Sequence, residues 1–379
     1  MQLAQDIDNN NFIDDVEQEE VDQNETLMEK PFDPTKINIE TKTPSLDTLI
    51  KRIERGEIEM DTTTYFQRQD DLWDITKQSR LIESILIRFP LPAFFFDASN
   101  DDNWLVVDGL QRLSSIRNFC VKQDLKLTNL EFLIQLNGKG WQSLSGDLKR
   151  IIEETQVVIY KIMPGTPTDV KFNIFKRINT GGLVLEPQEI RHALFQGKPA
   201  QFIAELARNE AFLNATNHKI KTHRMLDRDF ANRFLAFYLF GYENYMPDLD
   251  SFMSKAMAGI YKMSQYELDK ITYDFTEAMI ASRKIFKEEA FRKVYYDYKK
   301  LPPINKALFD ALATQLAVLS QPERESLVKR RSEFKNGLYN LLNDDALFFI
   351  SVTSSTGDRN RVYHRHNEIK KLVHQIIES

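Results

Sequence analysis

The sequence is short of cysteine, of glycine-rich loops and of long apolar runs, and each shortage removes a class of protein. One cysteine, Cys120, stands among 379 residues, so neither a disulfide framework nor a paired-cysteine zinc knuckle can form. No Gly-x-x-x-x-Gly-Lys-Ser/Thr segment occurs, and no Gly-x-Gly-x-x-Gly follows a strand pattern. The common phosphate-cradling fingerprints are therefore absent. No apolar run is long enough to cross a bilayer. Residues 1–10 are polar and acidic, unlike a leader. The expectation is a cytoplasmic protein without membrane contact.

Histidine is scarce too. His192, His218, His223, His364, His366 and His374 include no His-Glu-x-x-His pair. His366-Asn367 with His374 suggests an H-N-H nuclease, but that site needs a β-hairpin before its helix, and this segment reads as helical throughout. No nucleophile elbow is present.

What remains supports a packed protein. Apolar residues make up 42%, with 26 Phe and 13 Tyr, enough to bury a sizeable core. The net charge of -6 is unevenly spread. Residues 1–30 hold ten acids and one base, which leaves 46 acids and 49 bases in residues 31–379, about +3. The acidity belongs to the N-terminal arm, and the body is free to take a polyanion. Residues 1–34 read as a solvated tail; the sharper alternative is an acidic arm that covers a basic groove.

The organising stretch is Trp104 to Leu113. Leu105, Val106 and Val107 run as a buried strand into Asp108-Gly109. Leu113, Ile116 and Phe119 then recur at helical steps. Asp108 stands where an N-cap belongs, Gly109 permits close backbone approach, and Gln111 and Arg112 fall in the first turn. Helix-start amides attract anions, so an Arg beside them suits a phosphate. The plain alternative is a capped helix whose Arg pairs with an acid at the surface.

Elsewhere the pattern alternates between helix and strand up to about residue 196. Thr43-Pro44 opens a helix with Leu46, Leu49, Ile50 and Ile53 on one face, ended by Gly56. Phe66-Gln67-Arg68 reads as an extended polar segment before Trp73. A helix carries Leu81, Ile82, Ile85, Leu86 and Phe89, and stops at Pro90. Residues 93–96 and 104–107 form a hairpin. Leu130 to Leu136 and Gln156 to Lys161 read as further strands. A helix from Thr166-Pro167 ends at Asn179-Thr180-Gly181-Gly182, behind Lys176 and Arg177, and another starts at Glu186-Pro187. Beyond residue 197 only helical stripes occur, with Phe230, Phe234 and Phe237 on a central one. Near the end, Arg359, Arg361, His364, Arg365 and His366 form a basic cluster that could touch phosphates but reads first as the solvated start of a terminal helix.

Four of these segments together resemble a known family. They are Phe66-Gln67-Arg68 with Trp73; the helix at Leu81 to Leu86 followed by Phe89-Pro90-Leu91-Pro92; Val107 to Leu113; and Phe175 to Gly182 before Leu185 and Glu189-Ile190. Their order and spacing resemble the domain of unknown function that forms the N-terminal part of GmrSD-type restriction enzymes. The likeness covers roughly residues 40–200. It implies a ParB/sulfiredoxin-like fold and a nucleotide site at an Asp-Gly-Gln-Gln-Arg motif. It also implies a role in defence against phage. Asp108, Gly109, Gln111 and Arg112 match the motif, while Leu110 stands in place of the first Gln and removes one polar contact. The family's companion nuclease domain, with its His-x-x-Pro type metal motif, is not visible in the chain.

The expectation is thus an α+β protein: an acidic tail over 1–34, a ParB/sulfiredoxin-like domain over 35–196 and a helical domain over 197–379. The function expected is binding, and hydrolysis, of a nucleoside triphosphate such as GTP with Mg²⁺. Asp108 and Gln111 would be catalytic, with Asp108 holding Mg²⁺ or placing the attacking water. Gly109, Arg112, Gln67, Arg68, Arg177 and Asn179 would line the phosphate site. DNA and a separate nuclease subunit are the partners expected besides the nucleotide. The rivals are a regulatory or DNA-binding module that uses the same cleft as a phosphate clamp, and a ParB-like nuclease.

Overall fold

A computed structural model describes residues 15–17, 34–60, 73–178, 185–294 and 298–378. It divides into two compact units, Phe32–Ile190 and Arg191–Ser379, the second including Met1–Pro31.

The first unit is built on a five-stranded mixed sheet in the order β1-β5-β3-β4-β2. Its strands are β1 Ile39–Lys42, β2 Ile58–Glu59, β3 Phe94–Asp97, β4 Trp104–Asp108 and β5 Ile159–Ile162. The hairpin of β3 and β4 forms as the alternation implies, with Phe95 opposite Asp108 and Asp97 opposite Leu105. β5 runs parallel to β3 and antiparallel to β1, and β2 runs parallel to β4.

Helices α1 (Leu46–Glu54), α2 (Ile75–Leu86), α3 (Leu110–Ile116), α4 (Gly146–Glu154) and α5 (Thr168–Ile178) complete this unit; α6 (Pro187–Leu194) carries the point of division. Leu46, Leu49, Ile50 and Ile53 recur at three- and four-residue steps, and all four are buried. They join Ile82, Phe94, Phe96, Leu113, Ile116 and Phe119 in one core. α1 starts after Ser45, because Pro44 is drawn into extended pairing: its carbonyl accepts from Val157 N–H at 3.0 Å.

Leu130–Leu136 was expected to be a strand and is not one. Its amides are taken by a side chain instead of a neighbouring strand. The buried Glu83 carboxylate accepts from the N–H of Glu131 (3.1 Å), Phe132 (2.7 Å) and Leu133 (2.7 Å), and a 3₁₀ turn follows at Ile134–Leu136.

The second unit is helical from α7 (Lys198–Ala207) through α8 (Glu210–Ala215), α9 (Leu226–Phe240), α10 (Leu249–Ile260), α11 (Gln265–Phe286), α12 (Lys306–Ala317), α13 (Gln321–Lys329), α14 (Arg331–Asp344), α15 (Ala346–Thr353) and α16 (Arg359–Glu378). Phe230 of α9 and Phe309 of α12 meet edge to face, with ring centroids 5.0 Å apart. Within this core Arg233 grips Asp310 through two nitrogens, Nε at 3.0 Å and Nη2 at 2.7 Å.

Two expectations for this unit are corrected. The basic cluster at the start of α16 is not solvated throughout: Arg365 and His366 are buried. Arg365 donates to the carbonyls of Ser351 (3.2 Å) and Thr356 (2.7 Å), and its charge lies 3.7 Å from Asp310. The acidic tail is not wholly solvent-facing either. Val16 is buried in the helical core, and Asp15 and Glu17 pair with bases there, because one apolar residue between two acids suits a slot with basic walls. Among the described residues no helix is long and apolar enough to cross a membrane.

Candidate functional site

The strand, glycine turn and helix form at Trp104–Ile116 as the sequence implies, with one change of role. Asp108 is the last residue of β4, and Gly109 takes the N-cap position of α3 with φ 100° and no side-chain cap. Asp108 is thus released from capping. Its Oδ2 accepts from Arg112 Nη2 at 2.9 Å, one helical turn on. Among the described residues no partner is recorded for its other oxygen.

Gly109 is required here on two grounds. Its φ is one that side-chain-bearing residues rarely adopt, and a Cβ would fall 2.5 Å from Phe94 Cδ1. The backbone therefore lies against the Phe94 ring, and the same ring carries the Arg112 guanidinium 4.5 Å from its centroid.

Arg112 is 9% exposed. Besides Asp108, it donates to the Pro92 carbonyl through Nη1 and to the Ala93 carbonyl through Nη2 at 3.1 Å. Burial pulls its pKa down from the usual arginine value, and the Asp108 charge opposes that. The acid that pairs with this Arg belongs to the motif itself, not to the surface. Three acceptors and a ring hold the guanidinium, so it ties the turn before β3 to the start of α3.

Gln111 Oε1 accepts from the Trp73 N–H at 2.9 Å. Trp73 O in turn accepts from Gln78 Nε2 at 2.7 Å, and Gln78 Oε1 accepts from Asn118 Nδ2 at 3.0 Å. This relay pins the chain just after the Gln67-Arg68 segment to the first turn of α3. α3 continues through a π-helical turn at Arg117–Val121, a distortion found often near functional sites.

Arg177 is the one other residue expected at the site that lies among the described residues. Gln67, Arg68 and Asn179 lie outside the described residues. Arg177 is exposed in the last turn of α5. α5 is itself fixed near β3: Lys171 Nζ lies 2.9 Å from Asp97 Oδ2 and 2.5 Å from Ser99 Oγ. Sequence reading passed over Lys171 and Asp97, as well as Phe94 and the Pro92 and Ala93 carbonyls. Pro92 ends the Phe89-Pro90-Leu91-Pro92 segment and Ala93 and Phe94 follow directly on it, and that adjacency was the available signal.

Among the described residues no group of three or more His, Cys, Asp or Glu gathers to hold a metal ion. Asp108, with a second carboxylate oxygen available, suits a divalent cation that takes most of its ligands from phosphate and water.

This geometry coincides with the comparison that matches. Residues 46–196 match the family of the GmrSD restriction endonuclease, N-terminal domain. The matched span runs from the first residue of α1 past the end of α6 and contains the whole of the Asp108–Arg112 arrangement. It points to a restriction or phage-defence type of system. No curated protein and no solved structure matches the chain.

Proposed function

We propose that the GmrSD N-terminal-type domain binds a nucleoside triphosphate at the β4–α3 turn and hydrolyses it. The observation that carries this reading is the Asp108 carboxylate. It stands at the end of β4, held from one side by Arg112 through one oxygen, with no partner for the other among the described residues, beside an α3 start whose N-cap is a glycine. Helix-start amides and a nearby cation suit phosphate oxygens. Mg²⁺ bound with the nucleotide would offset phosphate charge. Asp108 would hold that cation or orient the attacking water, and Gln111, pinned by Trp73, would keep the first turn in place. Gln67 and Arg68, a few residues before Trp73 in the chain, would supply polar contacts to the phosphates. Arg177 and Asn179, at and beyond the end of α5, would supply further polar contacts.

One observation favours a second reading. The Arg112 guanidinium is occupied by Asp108, Pro92 and Ala93, and a residue so held is a poor mobile phosphate clamp. The domain would then be a regulatory module that turns over no nucleotide.

Calorimetric titration of the chain with GTP, ATP and CTP in the presence of Mg²⁺ tests both, followed by phosphate-release measurements with and without DNA. Binding with slow turnover is expected, and Asp108→Asn should lower turnover more than affinity. Binding without any turnover supports the regulatory reading. Absence of binding to all three ends the nucleotide proposal.

A further inference from the structure

The helical unit holds a short piece of the acidic arm in a built slot. Glu17 N–H donates to Ile304 O at 2.8 Å, and Ile304 N–H donates to Asp15 O at 2.9 Å, a parallel bridge centred on Val16. Extended geometry sends alternate side chains to opposite faces. Val16 enters the core, while Asp15 and Glu17 face the other way, onto bases. The Glu17 carboxylate accepts from Lys293 Nζ at 2.5 Å and from Asn305 Nδ2 at 2.9 Å. Lys293 and Asn305 are each more than nine-tenths buried. The Asp15 carboxylate lies 3.3 Å from Lys219 Nζ. Beside Val16 a cavity of about 180 Å³ is lined by Lys219, Lys221, His223 and Leu226. His218, Lys219, Lys221 and His223 are all exposed along this loop.

A buried lysine without an anion is costly, so Lys293 needs a negative partner in this slot. The partner present is part of an arm with ten acids and one base in thirty residues, on a body that is otherwise slightly basic. Two carboxylates on one face of an extended strand present charge in the way that successive phosphates of a nucleic-acid strand do.

We propose that Asp15-Val16-Glu17 is an internal stand-in for phosphate, covering a DNA-backbone surface formed by Lys219, Lys221, His223, Lys293 and Asn305. Duplex DNA and the arm then compete for one surface, so the arm sets a threshold for binding. The proposal concerns the helical unit alone and does not depend on the nucleotide reading.

The test compares the full chain with a Asp15→Asn, Glu17→Gln variant, using fluorescence anisotropy of a labelled duplex across a salt series. The variant should bind roughly tenfold more tightly at low salt, with a salt slope steeper by about two, one for each phosphate that replaces a carboxylate. Adding Lys219→Glu and Lys221→Glu should abolish the gain. Hydrogen exchange on the unaltered protein gives a second, independent reading: saturating duplex should raise exchange at the Glu17 and Ile304 amides. Unchanged affinity in the variant, or continued protection of those amides with DNA bound, would overturn the proposal. A variant that melts much lower with no gain in DNA binding would identify the segment as a structural latch and overturn it too. A gain confined to single-stranded RNA would rule out duplex DNA as the occupant.

Discussion

Gly109 and Phe94 are in direct contact: a methyl group on the glycine would sit 2.5 Å from a carbon of the ring. The contact fixes how closely the β4–α3 turn approaches β3, and it leaves the ring face to Arg112. Gly109→Ala should therefore destabilise the first unit by roughly 1–3 kcal/mol, the usual cost of overpacking, with backbone strain in addition. Chemical denaturation measures it. Phe94→Leu, combined with Gly109→Ala, should recover part of the loss by making room; equal stability of the single and double variants would remove the contact as the cause.

Glu83 organises a loop by charge. Burial pushes its pKa up, but the amides of Leu133, Glu131 and Phe132 outweigh that and bring it below the usual carboxylate range. A carboxyl with a depressed folded pKa stabilises the fold above its unfolded pKa, and that contribution is lost as pH falls through the folded value. Glu83→Gln keeps the shape and loses the charge, and should cost about 1.5–3 kcal/mol at neutral pH. The difference from the unaltered protein should shrink as the solution is acidified below pH ~4. A gap that stays constant from neutral to acid pH would show that charge is not what holds the loop.

Glu83 also shows where sequence reading stops. The stripes of α1 and α9 were legible because a helix repeats its buried face every three or four residues, wherever its partner lies. Leu130–Leu136 has the composition of a strand, but its amides went to a carboxylate some fifty residues away. Arg365 reads as a surface base until the carbonyls of Ser351 and Thr356 and the charge of Asp310 are brought beside it. The Asp108-Gly109 turn was legible as a place where polar residues meet a tight backbone. That Asp108 would hold Arg112 rather than cap α3 depends on Gly109 taking the cap, which composition does not reveal. The seat of Val16 was hidden for a similar reason: a single apolar residue in an acidic arm carries no periodicity.

His366 should make the helical unit sensitive to mild acid. It is fully buried, stacked on Tyr242 at 5.0 Å, and its Nε2 has no hydrogen-bond partner among the described residues. Burial, with the nearby Arg365 and Arg233 charges, holds its pKa well below the ordinary value, and the Nδ1 contact with the Val362 carbonyl does not offset this. The unfolded chain therefore takes up a proton near pH ~6.5 that the folded chain refuses. Stability should fall as pH drops below that value, by up to about 1.4 kcal/mol per unit for one proton. His366→Phe preserves the aromatic stack and removes the titration. Its denaturation midpoint should depend less on pH between roughly 6.5 and 5 than that of the unaltered protein. Identical pH slopes for the two would assign the acid sensitivity to other groups.

Arg112 separates a latch from a grip. Its contacts with Asp108, Ala93 and Pro92 are charge-assisted, and each such bond is worth about 1.5–3 kcal/mol when both partners are dry. Asp108 reaches water, so its share is smaller. Arg112→Ala should then lower stability by roughly 2–4 kcal/mol, at the upper end of what single mutations usually cost, because two buried carbonyls lose their donor as well. Arg112→Lys supplies charge without the fork and should recover only part of it. The two functional readings diverge at the next step. If Asp108 is part of a nucleotide site, releasing it from Arg112 leaves a freer carboxylate beside the α3 amides. The Lys variant should then show triphosphate affinity that depends on Mg²⁺ more steeply than in the unaltered protein. If Arg112 serves only to tie Pro92 and Ala93 to α3, the stability loss appears alone. Thermal melting with and without GTP and Mg²⁺, on Arg112→Lys and Asp108→Asn side by side, reads both quantities in one experiment. A ligand-induced rise in Tm in the unaltered protein that both substitutions leave untouched would place the nucleotide away from this turn.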